Sequence, residues 1–166
     1  MANIHVKYSF VIPLRNKREA DWCKKVLIGI DVIDGSEPAK DVAKLLKKLG
    51  EECVDLIKQV RFEGGFTTHW EVQAYQGDLH VWLYQESDGN VDGAACFAQA
   101  YLRKFKPDGA VTFEWAVTCD RPINGNFHGG AYMVTAEKLA CETTADSLKR
   151  LGKKYAKGLD WLNEQD

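Results

Sequence analysis

The sequence predicts an α+β fold, an antiparallel sheet of five or six strands with helices mainly on one face. Three observations carry this expectation. Apolar and polar residues alternate at period two in the stretches 5–13, 67–76, 78–86 and 111–119. Apolar residues recur at helical spacing in the segments between and after them. The two patterns follow one another as β-α-α-β-β-α-β-β-(β)-α, which pairs strands through hairpins instead of alternating every strand with a helix. At 166 residues the chain suits a single domain, residues 1–166, and is long enough to bury a core.

In residues 5–13, Val6, Tyr8, Phe10 and Ile12 point one way, and His5, Lys7, Ser9 and Val11 the other. Asn16 followed by Glu19 has the spacing of a capping box, and Cys23, Val26, Leu27 and Ile30 continue as a helical stripe. Asp34-Gly35-Ser36 breaks the chain. Ser36 and Pro38 suit the start of a second helix, whose stripe runs Val42, Leu45, Leu46, Leu49, Cys53, Leu56, Ile57 and Val60. Gly64-Gly65 ends that unit.

Two strands follow, joined by a tight turn at Gln76-Gly77-Asp78, in which either Gln76-Gly77 or Gly77-Asp78 forms the centre. Ser87–Asn90 offers caps for a third helix with Val91, Ala94, Ala95, Ala98, Tyr101, Leu102 and Phe105 on one side; Lys106-Pro107-Asp108-Gly109 stops it. Val111, Phe113, Trp115 and Val117 then alternate with Thr112, Glu114, Ala116 and Thr118. A strand over 131–135, a short one over 139–143, and a last helix capped by Thr143 or Thr144 complete the order. The first part matches a split β-α-β arrangement: a ferredoxin-like βαββαβ core with an extra helix, extended by a C-terminal hairpin and helix.

If the helices cover the Val/Leu side, the opposite face carries His69, Glu71, Gln73 and Tyr75, then His80, Trp82 and Tyr84, with Lys7, Ser9, Thr112 and Glu114. Polar groups mixed with large aromatics make this the candidate binding face. Cross-strand packing of aromatics is the plain structural alternative. RNA-binding sheets have a similar plan, but 78–86 lacks their basic-glycine-aromatic motif, and Glu71 and Glu114 would repel phosphate, so nucleic acid is not expected. Net charge is −2, which also argues against a general nucleic-acid binder. Lysines cluster on the second helix (40, 44, 47, 48) and basic residues on the last (Lys149, Arg150, Lys153, Lys154, Lys157). These read as solvated faces, or as a contact with an acidic partner.

Few catalytic chemistries fit. Cys119, Asp120 and His128 flank one hairpin, where a thiol, an orienting carboxylate and a base would be needed, but the alternation points Cys119 to the apolar side. His69, Glu71 and His80 come from paired strands, yet no metal-binding spacing such as H-E-x-x-H occurs, so neither metal nor cofactor is expected. Walker A, G-x-G-x-x-G and G-x-S-x-G are absent. Five widely spaced cysteines without C-x-x-C predict free, mostly buried thiols. Without an N-terminal signal or an apolar run that spans a membrane, a cytoplasmic location is expected.

The hairpin between 113 and 135 is the most individual stretch. Asn124-Gly125 is a strong turn signal, and Gly129-Gly130 leaves a slot on the returning strand that Trp115 or Phe127 can fill. Phe113-Glu114-Trp115-Ala116, Thr118-Cys119, Arg121-Pro122, Phe127 and Gly129-Gly130-Ala131 together resemble a family of small uncharacterised proteins of bacteria, phages and other mobile elements. That family has serine where this chain has Asp120 and glycine where it has His128, which weakens a Cys-Asp-His reading. The resemblance implies a mobile-element context, with action on a host or phage defence system as the role it suggests, and brings no established activity with it.

The expectation from sequence is therefore a non-enzymatic protein that binds a protein partner or itself through the open face. The hairpin tip (Arg121, Asn124, His128) would be a second point of contact. The alternative is a small-molecule or enzyme site on the same face, using His69, Glu71, His80 and Glu114 around Trp82. A deep pocket would favour the alternative and a flat aromatic patch the first reading.

Overall fold

The strand Ile4–Leu14 (β1) is the spine of the sheet, because its inward residues Tyr8, Phe10, Ile12 and Leu14 are all buried. The computed structural model describes residues 3–34, 56, 66–120 and 128–155. After β1 come α1 (Lys17–Asp34), β2 (His69–Tyr75), β3 (Asp78–Gln85), α2 (Val91–Phe105), β4 (Ala110–Cys119), β5 (His128–Thr135), β6 (Leu139–Thr143) and α3 (Thr144–Tyr155). The six strands form one antiparallel sheet in the order β2-β3-β1-β4-β5-β6. The first four give the ferredoxin-like order, and β5 and β6 extend it as a meander, as the sequence predicts.

The predicted second helix, with its lysines and the following Gly64-Gly65, lies outside the described residues except for Leu56, which is helical and 5% exposed. Asn124 and Arg121 of the hairpin tip and Cys53 also lie outside them.

Helix α1 begins where Asn16 Oδ1 accepts from the Glu19 amide at 3.1 Å. The second half of the predicted capping box differs: the Glu19 carboxylate turns back one residue further and accepts from the Arg15 amide (2.9 Å) and Arg15 Nε (2.7 Å). Cys23, Val26, Leu27 and Ile30 are all buried, as their spacing predicts. In α2 the cap is Asn90, whose side chain accepts from the Gly93 amide at 2.9 Å. The three alanines of its stripe are fully buried and bring the helix close to the sheet.

Both helices cover the Val/Leu side. Phe10 and Phe113 stack there with centroids 4.2 Å apart, and Phe113 stacks on Tyr132 at 5.3 Å, which ties β1, β4 and β5 together. Trp22 of α1 meets Phe97 and Phe105 of α2 and so joins the helices. Burying each such ring contributes roughly 1.5–3 kcal/mol.

The β2–β3 turn resolves in favour of Gln76-Gly77, since both have positive φ, 52° and 91°, and Tyr75 pairs with Asp78. This is the two-residue hairpin geometry whose twist suits its strands. No helix among the described residues is long and apolar enough to cross a membrane.

Candidate functional site

Alternation along β1, β3 and β4 leaves the second sheet face without helical cover from α1 and α2. Register then decides which predicted residues meet. Glu71 pairs with Trp82, which pairs with Val11; His69 pairs with Tyr84, which pairs with Ser9; Gln73 pairs with His80, which pairs with Pro13. Tyr75 closes β2 beside the turn. The predicted face residues from His69 to Tyr84 thus belong to one three-strand block.

Within it the rings of Trp82 and Tyr84 stack, with centroids 4.1 Å apart and planes 25° from parallel. Trp82 Nε1 donates to Ser9 Oγ at 2.8 Å, and Tyr84 OH donates to Glu71 Oε1 at 3.3 Å. The His69 ring lies beside Tyr84, tilted, with centroids 5.5 Å apart. The two rings are therefore oriented at both polar ends while both residues stay half-exposed. Partial desolvation and the Glu71 carboxylate push the Tyr84 phenol up from its ordinary value, so it stays a neutral donor.

Glu114 sits two strands away. With Lys7, Ser9, Trp82, Tyr84 and Glu86 it lines a shallow hollow of about 410 Å³. Two neighbouring hollows of about 600 and 610 Å³ also include Glu114 in their walls and run toward β6 and the foot of α3. Glu114 is thus the carboxylate common to three depressions on one face.

Sequence reasoning missed part of this surface. Val11 and Met133 are 53% and 55% exposed, and Glu142 faces the same side as Glu114 because both pair with Ala131. The alternation of Met133 with buried Tyr132 and Val134 carries the signal for Met133. The side taken by the last helix was not legible: Ser147 Oγ and Arg150 Nη2 reach Glu142 Oε1 at 2.7 and 3.1 Å, which sets the start of α3 at the border of the open face.

The thiol reading of the hairpin is not supported. Asp120 accepts from His5 Nε2 at 2.7 Å, and this bond holds its carboxyl below the usual range. It does not orient His128. That histidine is the first residue of β5 rather than part of a loop, pairs with Val117 and meets Trp115 edge-on at 6.2 Å. No hydrogen bond joins Cys119 to either among the described residues. Glu71 is held by Tyr84, and His69 and His80 pair with different residues; among the described residues no three histidine, cysteine or carboxylate side chains converge as a metal site would require. Comparison with family models, with curated protein sequences and with solved structures finds no match.

Proposed function

We propose that the open sheet face is a protein-contact surface and that the protein acts by binding, to another protein or to itself. The observation that carries this reading is the Trp82–Tyr84 stack, fixed by Ser9 and Glu71 and flanked by exposed Val11. Two rigid rings with polar tips lose little entropy on binding and supply most of the area that anchors an interface. The carboxylates around them provide the polar rim.

Affinity capture followed by cross-linking tests this, with wild-type protein and the Trp82→Ala/Tyr84→Ala double variant as baits. The expected outcome is loss of the cross-linked species with the double variant, while its circular dichroism stays native. Equal recovery by both baits rejects the proposal. A small ligand in the hollow lined by Lys7, Ser9, Glu86 and Glu114 is the second reading, favoured by the cation, the hydroxyl and the two carboxylates in its wall. Quenching of Trp82 fluorescence by a small-molecule library, lost in Trp82→Phe, would support it.

A further inference from the structure

We propose that strand β2 is a dimerisation edge, which pairs antiparallel with β2 of a second copy about a twofold axis at Val72. This goes beyond the open-face reading and stands on a different surface. β2 is an outer strand of the sheet. Its pairing with β3 closes on Tyr75 and Asp78 across the two-residue turn, so the odd-numbered residues of 69–75 aim their amides and carbonyls at β3. Those of Trp70, Val72 and Ala74 point outward, and no backbone group among the described residues bonds to them. The strand runs its seven residues without proline, lysine or bulge, the devices that blunt a free edge. The opposite edge differs: β6 has five residues, and the amide of its last one, Thr143, is taken by Asp146 of α3 at 3.1 Å.

The order of residues in β2 suits its own copy. Pairing centred on Val72 uses the whole strand and sets Trp70, Glu71 and His69 opposite Ala74, Gln73 and Tyr75 of the second copy. A large residue then meets a small one, and a carboxylate meets an amide that can donate to it. Trp70 and Val72 are half-buried on the helix side, and Asp31 of α1 fixes the Trp70 indole at 2.7 Å, so both bring apolar area to the edge already ordered. Other registers fit worse. A slide by two residues sets Glu71 against Glu71 in one direction and Trp70 against the turn in the other. A slide by one sets outward groups against inward ones. Facing residues of an antiparallel ladder share a side, so the two sheets merge into one with both open faces on the same side.

Sedimentation equilibrium of the full chain tests this. The wild type is expected to dimerise. Ala74→Pro removes an outward amide while sparing the bonds to β3, and should raise the dissociation constant at least about tenfold. Gln73→Glu opposes two carboxylates at both symmetric positions and should weaken the dimer about fivefold; Gln73→Lys creates ion pairs there and should tighten it by a similar factor. Position 73 is exposed, so these two variants keep the test intact if the proline variant fails to fold. Circular dichroism of the dilute monomers verifies their structure. A wild type that stays monomeric at all concentrations overturns the proposal. So does a dimer that ignores a folded Ala74→Pro, and so do Gln73 variants that fail to act in opposite directions. A dimer that dissolves in Trp82→Ala/Tyr84→Ala but ignores the β2 variants lies on the open face, which overturns this proposal and supports that reading.

Discussion

The Tyr101 hydroxyl donates to the buried Glu19 carboxylate over 2.6 Å, joining the second helix to the cap of the first. Arg15 completes the arrangement by holding both Glu19 oxygens and, through Nη2, the Phe105 carbonyl at 2.6 Å. Burial alone would raise the Glu19 carboxyl, but the hydrogen bonds from Tyr101 and Arg15 outweigh it and hold it below its ordinary value. Glu19→Gln should destabilise the protein by about 2 kcal/mol at neutral pH, because the amide cannot accept from every donor. A carboxylate with a depressed folded pKa contributes fully above its unfolded value, about 4.3, and loses that contribution as pH falls through the folded value. Urea melts of wild type and Glu19→Gln should therefore differ at neutral pH and converge in acid. A constant difference across that range would mean that charge is not the cause.

Gly130 lies under the Trp115 ring, as the predicted slot requires. A Cβ there would stand 3.0 Å from Trp115 Nε1 and 2.6 Å from the Glu142 carbonyl oxygen; at Gly129 it would stand 2.4 Å from the Trp115 carbonyl oxygen. Backbone oxygens give way little, so Gly129→Ala and Gly130→Ala should each cost about 2–3 kcal/mol. Thermal melting checks this, with Ala131→Gly as a neighbouring control outside the slot. An alanine variant that melts with the wild type would show that this pair is not close-packed.

The β2–β3 turn separates backbone strain from packing. A Cβ at Gly77 meets nothing within 4 Å, so Gly77→Ala adds only the cost of an L-residue at φ 91°. That is about 1 kcal/mol, or roughly 2–4 °C in Tm for a chain of this size. Gln76→Asn should act the other way by a few tenths of a kcal/mol, since asparagine tolerates φ 52° better. Opposite signs in one melting series are the expected result, and a stabilising Gly77→Ala would contradict the assigned turn.

These sites mark where the sequence was legible. The stripe Cys23, Val26, Leu27, Ile30 and the alternation of β1 and β4 specify burial directly, because period alone decides which side chain faces the core. The face that holds Trp82, Tyr84 and Glu114 follows from the same arithmetic. The stacking of Trp82 on Tyr84 does not: it depends on Ser9 and Glu71, from two other strands, and so on register. Glu19 was legible as a cap but not as the partner of Tyr101, which lies 82 positions away. Asp120 shows the same limit, since its partner, His5, is on the first strand and not on its own hairpin.

The cysteines differ enough in environment to give a graded chemical test. Cys23 is fully buried, and desolvation together with the Glu19 charge pushes its thiol up to about 12, so thiolate is scarce at neutral pH. Cys96 is 3% exposed, whereas Cys119 is half-buried on the core side and Cys141 is exposed on the short edge strand β6. Brief treatment with iodoacetamide at neutral pH should label Cys141 first and Cys119 more slowly, and should reach Cys23 and Cys96 only at the rate of global opening. Peptide mass mapping over time resolves the order. Labelling of Cys119 ahead of Cys141 would revive an activated thiol beside His128, because exposure favours Cys141 and only a nearby base could reverse that ranking.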